Sequence, residues 1–158
     1  MTIETLNRRK ALILIGSAAL VPPGAARAKE RPAIHVVKGT GCECCEAWVA
    51  YLRDQGFAVT DEERFGTLLI GFKTGLGIPP AVFSCHTGVV DGYALEGHVP
   101  AAEIDRLLTE RPDAIGLAVP GMPYGSPGMG SEDSREAYDV LLILRDGSTS
   151  VFAQYGAL

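Results

Sequence analysis

Apolar and polar positions in the body of the chain change period several times, and each change predicts a new element. Ile34-His35-Val36-Val37 reads as a short strand that ends at Gly39-Thr40-Gly41. From Cys44 to Gln55 the apolar positions Ala47, Trp48, Tyr51 and Leu52 recur at helical spacing, and Gly56 is a natural C-terminal stop. Phe57-Ala58-Val59 predicts a second strand, followed by an acidic turn at Asp61-Glu62-Glu63. A second helical pattern runs from Phe65 to Thr74, interrupted by Gly66 and Gly71, before "GLGIPP" breaks the chain. Ala81 to Cys85 and Val89 to Tyr93 predict a hairpin around His86-Thr87-Gly88. Pro100 then opens a helix from Ala101 to Glu110, with Ile104, Leu107 and Leu108 as its inner face.

Beyond Pro112 the pattern changes. Residues 116–130, "GLAVPGMPYGSPGMG", hold five glycines and three prolines, which argues against any regular element through the stretch. Leu117, Val119, Met122, Tyr124 and Met129 are too apolar for a solvated spacer, so the stretch is expected to pack as a loop against the body. Residues 138–144 and 150–155 flank Asp146-Gly147 and predict a terminal hairpin. No internal repeat is present.

Charge divides the chain in two. Residues 7–28 carry a basic start, an apolar stretch from Ala11 to Val21 and a small-x-small end at Ala26-Arg27-Ala28. This is the pattern of a secretory signal peptide cleaved before Lys29, and Arg8-Arg9 resembles a twin-arginine export signal. The apolar stretch falls short of the roughly 20 residues that span a bilayer, so no stable membrane anchor is expected. After residue 28 the chain has 10 Lys+Arg against 18 Asp+Glu, a net charge of −8. Such an acidic body does not suit nucleic acid or anionic membranes. The mature protein is expected in the periplasm, where disulfides persist.

The candidate chemistry lies in "GTGCECCEAW", residues 39–48, which places Cys42, Cys44 and Cys45 at the predicted start of a helix. Free N–H groups and the helix dipole there favour thiolate, which is both nucleophile and metal ligand. Cys42 and Cys45 keep a Cys-x-x-Cys spacing, with Cys44 between them and Cys85 far along the chain. Three uses remain open. The four thiols can form a soft-donor site for Cu(I), zinc or an iron–sulfur centre, with thiolates able to bridge two Cu(I) ions. They can form an exchange-active redox site, although a third adjacent thiol would scramble its disulfide. They can be two structural disulfides, although a Cys44–Cys45 bridge would be strained and a domain of this size needs no staples. There is no catalytic Ser-His-Asp pattern, phosphate loop or carboxylate pair, and no catalytic residue is assigned.

The order strand, cysteine loop, helix, strand, helix, hairpin, helix over residues 33–110 resembles a thioredoxin-like domain. That resemblance implies a cis peptide at Ile78-Pro79, beside the cysteines. Three further motifs, "CECC…W", "SCHTGVVDGYALEGHVPAAEIDRLL" and "GLAVPGMPYGSPGM", resemble the bacterial CopG-like family, a metal-binding domain of unknown function. The resemblance runs from about residue 33 to the C-terminus. It implies a thioredoxin-like periplasmic protein of copper resistance that binds Cu(I) through Cys42, Cys44, Cys45 and Cys85.

His86, directly after Cys85, is a candidate to complete the coordination. His98, His35, Met122 and Met129 have simpler readings as hydrogen-bonded or packing residues. Spacing alone disagrees with the Cys85 assignment. At about 3.3 Å per residue, a strand following Pro79 would leave Cys85 roughly 20 Å from Cys42.

The expectation is an α/β protein, with a signal peptide over residues 1–28 and a thioredoxin-like metal-binding domain over 29–112. A Gly/Pro-rich loop and terminal hairpin over 113–158 would pack on that domain as a C-terminal extension. Its function is exported Cu(I) binding in copper resistance or homeostasis, with periplasmic copper-handling or redox proteins as partners. The alternative is a periplasmic thiol-disulfide or copper oxidoreductase.

Overall fold

Seven strands share one sheet in the order β2-β1-β3-β4-β5-β6-β7 in the computed structural model, which describes residues 31–158. The leader expected at residues 1–28 lies outside the described residues. Along the chain run β1 (Ile34–Lys38), α1 (Glu43–Asp54), β2 (Val59–Glu63), α2 (Thr67–Gly75), β3 (His86–Val90), β4 (Tyr93–Gly97) and α3 (Ala101–Glu110). They are followed by β5 (Ala114–Val119), β6 (Tyr138–Leu144) and β7 (Thr149–Tyr155). β1 pairs in parallel with β2 and β4 with β5, and the other neighbours are antiparallel. Among the described residues no helix is long and apolar enough to cross a membrane.

The larger core joins Trp48, Val49 and Leu52 of α1 and Ile104 and Leu107 of α3 to Ile34, Val36, Leu95 and Leu117 of the sheet. Ile78, Val82, Ala94, Ile115, Ala118 and Ile143 form a second cluster. Successive strand residues point to opposite faces, which separates Leu95 from Ala94 and Leu117 from Ala118. An irregularity in register between Ala114 and Gly116 lets Ile115 join the second cluster although it is in step with Leu117.

The helix Ala101–Glu110 and the terminal hairpin match the sequence pattern closely, but four local expectations are corrected. The acidic turn is strand: Asp61, Glu62 and Glu63 belong to β2, an edge strand, where Glu62 and Glu63 face water and Asp61 pairs with Lys38 and Arg53. The central hairpin lies five residues later than expected at its first strand. Its turn is Asp91-Gly92, with φ of 47° and 86°, the two positive values of the tight turn that matches strand twist. Residues 81–85 are instead a 3-10 turn (Pro80–Val82) and irregular chain. The sequence Ala-Ile-Gly-Leu-Ala-Val is the interior strand β5, buried throughout, so a regular element does enter the glycine-rich stretch. Finally, there is no cis peptide among the described residues, and Ile78-Pro79 is trans.

Candidate metal centre

α1 starts where the sheet ends. Cys42 caps its N-terminus in extended conformation, and the amides of Cys45 and Glu46 both donate to the Cys42 carbonyl. The buried ammonium of Lys38, the last residue of β1, pairs with Glu46 at 2.7 Å and with Asp61 of β2. That pairing ties the first turn of α1 to the two strands beneath it.

Register brings in the second half of the site. β3 runs antiparallel to β1 with His86 opposite Lys38, and the Gly39 amide donates to the Cys85 carbonyl at 3.1 Å. The residue just before β3 therefore sits at the mouth of the loop carrying Cys42. The Sγ atom of Cys44 lies 3.5 Å from that of Cys42 and 3.6 Å from that of Cys85. All four sulfurs fall within 4.8 Å of one another. The roughly 20 Å separation expected from spacing is thus overturned, because the chain between Pro79 and Cys85 turns instead of extending. Cys42 and Cys45 form a disulfide, and Cys44 and Cys85 are free thiols.

Two imidazoles complete the cluster. His86 Nδ1 lies 3.4 Å from Cys85 Sγ, and His98 Nε2 lies 3.9 Å from it. The far nitrogens face carbonyl oxygens, His86 Nε2 at 3.0 Å from Gly97 O and His98 Nδ1 at 2.8 Å from Pro127 O. A carbonyl only accepts, so each far nitrogen holds the proton and the lone pairs of both rings are left towards Cys85. Burial keeps both rings neutral. It pulls the His86 pKa down to about 3, with neighbouring His98 and Lys73 adding to the effect, and it lowers that of His98. Burial, with the Cys44 thiol beside it, pushes Cys85 up to about 12.

Trp48, fully buried, lies with its ring 4.4 Å from that of His86 at an angle of 32° and donates its Nε1–H to Val99 O, which packs the core against His86. The glycine-rich loop closes over α1 at Gly128. Its φ is +81°, and a Cβ there would lie 2.7 Å from the Trp48 amide nitrogen. The same loop supplies Pro127 O to His98.

The structure therefore brings together Cys42, Cys44, Cys45, Cys85 and His86, and adds His98, which its sequence context ranks low. The one cue to His98 is its position at the end of β4, twelve residues after His86 and across the same hairpin. His35 is elsewhere, on β1 against Thr60 and Glu62, and Met122 is exposed.

Residues 82–129 match a family model described as "Protein of unknown function, DUF411". No curated protein matches the chain. Two solved structures do, both titled copper resistance protein CopG. For form 1 the identity is 47%, covering 81% of this chain and 100% of that one, with a TM-score of 0.75. For form 2 the identity is 48%, covering 80% of this chain and 99% of that one, with a TM-score of 0.72. With nearly half its residues identical over the full length of these structures, the chain belongs to the CopG family of copper resistance proteins.

Proposed function

We propose that the protein is an exported Cu(I)-binding protein of copper resistance, holding the metal with Cys42, Cys44, Cys45 and Cys85 and with His86. The observation that carries this reading is the delivery of Cys85 to within 3.6 Å of Cys44 from a different part of the chain. The donor set fits a soft ion: four sulfurs and two neutral imidazoles with lone pairs towards them, and no carboxylate among the grouped ligands. All four sulfurs are available only after the Cys42–Cys45 disulfide takes up two electrons and two protons. Similarity to copper resistance proteins supports copper as the metal. Export to the periplasm rests on the leader pattern of residues 1–28.

The order β1-α1-β2-α2-β3-β4-α3 and the strand order β2-β1-β3-β4 support reading residues 29–112 as thioredoxin-like, with residues 113–158 as an extension. A second reading, a periplasmic thiol-disulfide or copper oxidoreductase, is favoured by the Cys42–Cys45 disulfide lying beside a free thiol. The first reading is tested by anaerobic Cu(I) addition to the reduced mature chain, followed by native mass spectrometry. More than one bound Cu(I), with the ultraviolet-excited luminescence of thiolate-bridged copper, is the expected result. Zinc bound tightly by a chain that takes up no copper would remove it.

A further inference from the structure

α2 is built inside out. Leu68 and Ile70 are exposed, and the one buried residue of the helix is Lys73, at 2% exposure. Its ammonium donates to Glu96 Oε1 of β4 at 2.5 Å and to the Thr87 hydroxyl of β3 at 2.7 Å. Thr87 donates in turn to Glu96 Oε2 at 2.6 Å. Glu96 is fully buried, and its Oε1 accepts one more bond, from the backbone N–H of Ser84 at 2.5 Å. Ser84 belongs to no helix or strand and immediately precedes Cys85.

A buried ion pair contributes little net stability, because desolvation offsets the attraction, and apolar residues of similar volume serve the core as well or better. Core packing therefore does not account for a lysine and a glutamate at these two positions. Their placement does: a carboxylate held by Lys73 and Thr87 accepts from the backbone N–H of Ser84, the residue before Cys85.

We propose that Glu96 is a positioning residue. Held by Lys73 and Thr87, it clamps the Ser84 amide and so sets the Cys85 sulfur against Cys44. The copper arm of its test rests on the reading of Cys85 as a ligand; the clamp itself does not.

In the metal-free chain with Cys42–Cys45 oxidised, the Ser84 amide should exchange its hydrogen at least about 100-fold more slowly than a free amide, because its acceptor Glu96 is fully buried. Two neutral replacements then separate hydrogen bonding from packing. Lys73→Met with Glu96→Gln keeps an amide oxygen for Ser84 and an amide N–H for Thr87. Lys73→Met with Glu96→Leu keeps neither. The glutamine variant should retain Ser84 protection, and its Cys85 alkylation rate and Cu(I) affinity are the reference for the leucine variant, since both lack the Lys73 charge near Cys85. The leucine variant, still melting cooperatively, should lose that protection, alkylate at Cys85 about tenfold faster and bind Cu(I) about tenfold more weakly, the scale of lost outer-shell support. Equal alkylation in the two variants overturns the clamp. So does an unprotected Ser84 in the parent, a measurement that stands if either variant fails to fold. A parent that binds no copper yet protects Ser84 refutes the metal reading and leaves the clamp intact.

Discussion

Replacing Cys85 by serine removes the one atom shared by the four-sulfur group and the Cys85–His86–His98 group. Cys85 is half-buried, and a serine hydroxyl there can donate to His86 Nδ1, which lies 3.4 Å from the present sulfur. The fold should therefore lose less than about 1 kcal/mol. Copper binding should lose far more. Groups that merely support metal ligands are worth about 10–100-fold in affinity, so a directly bound thiolate should cost at least about 100-fold, or ~2.7 kcal/mol. The pH dependence gives a second signature. With its pKa raised to about 12, Cys85 is a neutral thiol throughout the neutral range, and a metal must displace its proton. Raising the pH therefore favours binding, by about tenfold per pH unit from this ligand alone. Cys85→Ser should lower the slope of log affinity against pH by about one. Competition against a chromophoric Cu(I) chelator, run anaerobically on reduced parent and variant between about pH 6 and 8, reads both quantities. A folded variant with the affinity and slope of the parent would make Cys85 a structural thiol and refute the four-cysteine site.

Two further outcomes follow from burial around the cluster. His86 is held neutral with a folded pKa of about 3 against an unfolded value of about 6.5, so the unfolded chain takes up the extra proton between these limits. Its stability contribution is complete above about pH 6.5 and falls as pH drops towards 3, by ~2 kcal/mol at pH 5, with His98 acting in the same direction. Thermal melts of the metal-free protein should show a Tm lower by about 6 °C at pH 5 than at pH 7, and an unchanged Tm would contradict the buried neutral rings. Gly128→Ala places a methyl group against the backbone of Trp48, which cannot yield as a flexible side chain would. It should cost about 1–3 kcal/mol in a chemical denaturation curve, and a change within about 0.5 kcal/mol would show that the loop does not seat as described.

What the sequence reveals depends on how local each signal is. α3 follows from its own apolar stripe and Pro100, and the β6–β7 hairpin from two apolar runs around Asp146-Gly147. Neither needs information from elsewhere in the chain. β2 and β5 are harder to read because their character depends on sheet position. Asp61–Glu63 looks like a turn because three successive acidic residues suit a strand only at a sheet edge, where Lys38 and Arg53 pair with Asp61 and Arg64 pairs with Glu62. Ala114–Val119 looks like the start of a loop because Gly116 and the following prolines mask an apolar run that is buried by neighbours on both sides. Asp91-Gly92 is a local signal, and it identifies the hairpin turn better than His86-Thr87-Gly88, since both its residues adopt positive φ.

The metal-site candidates divide along the same line. Cys42, Cys44 and Cys45 are visible from spacing because one helical turn holds them. Cys85 joins them only through the antiparallel register of β3 on β1, which no residue count from Pro79 can supply. Residues 81–85 do not extend as the strand that a roughly 20 Å separation requires. A 3-10 turn rises only about 2.0 Å per residue, so Pro80–Val82 shortens the path and turns it back to the sheet end from which α1 starts. This geometry also relates the two functional readings. On the four-cysteine reading the Cys42–Cys45 bond and the full ligand set are mutually exclusive, since forming the bond removes two electrons and two protons from the sulfurs. Cys44 and Cys85 remain thiols in that oxidised state, with both imidazoles beside Cys85, so the reduced and oxidised forms should differ in copper capacity by the contribution of Cys42 and Cys45. A redox change at one sulfur pair would then act as the control on metal retention by the whole site.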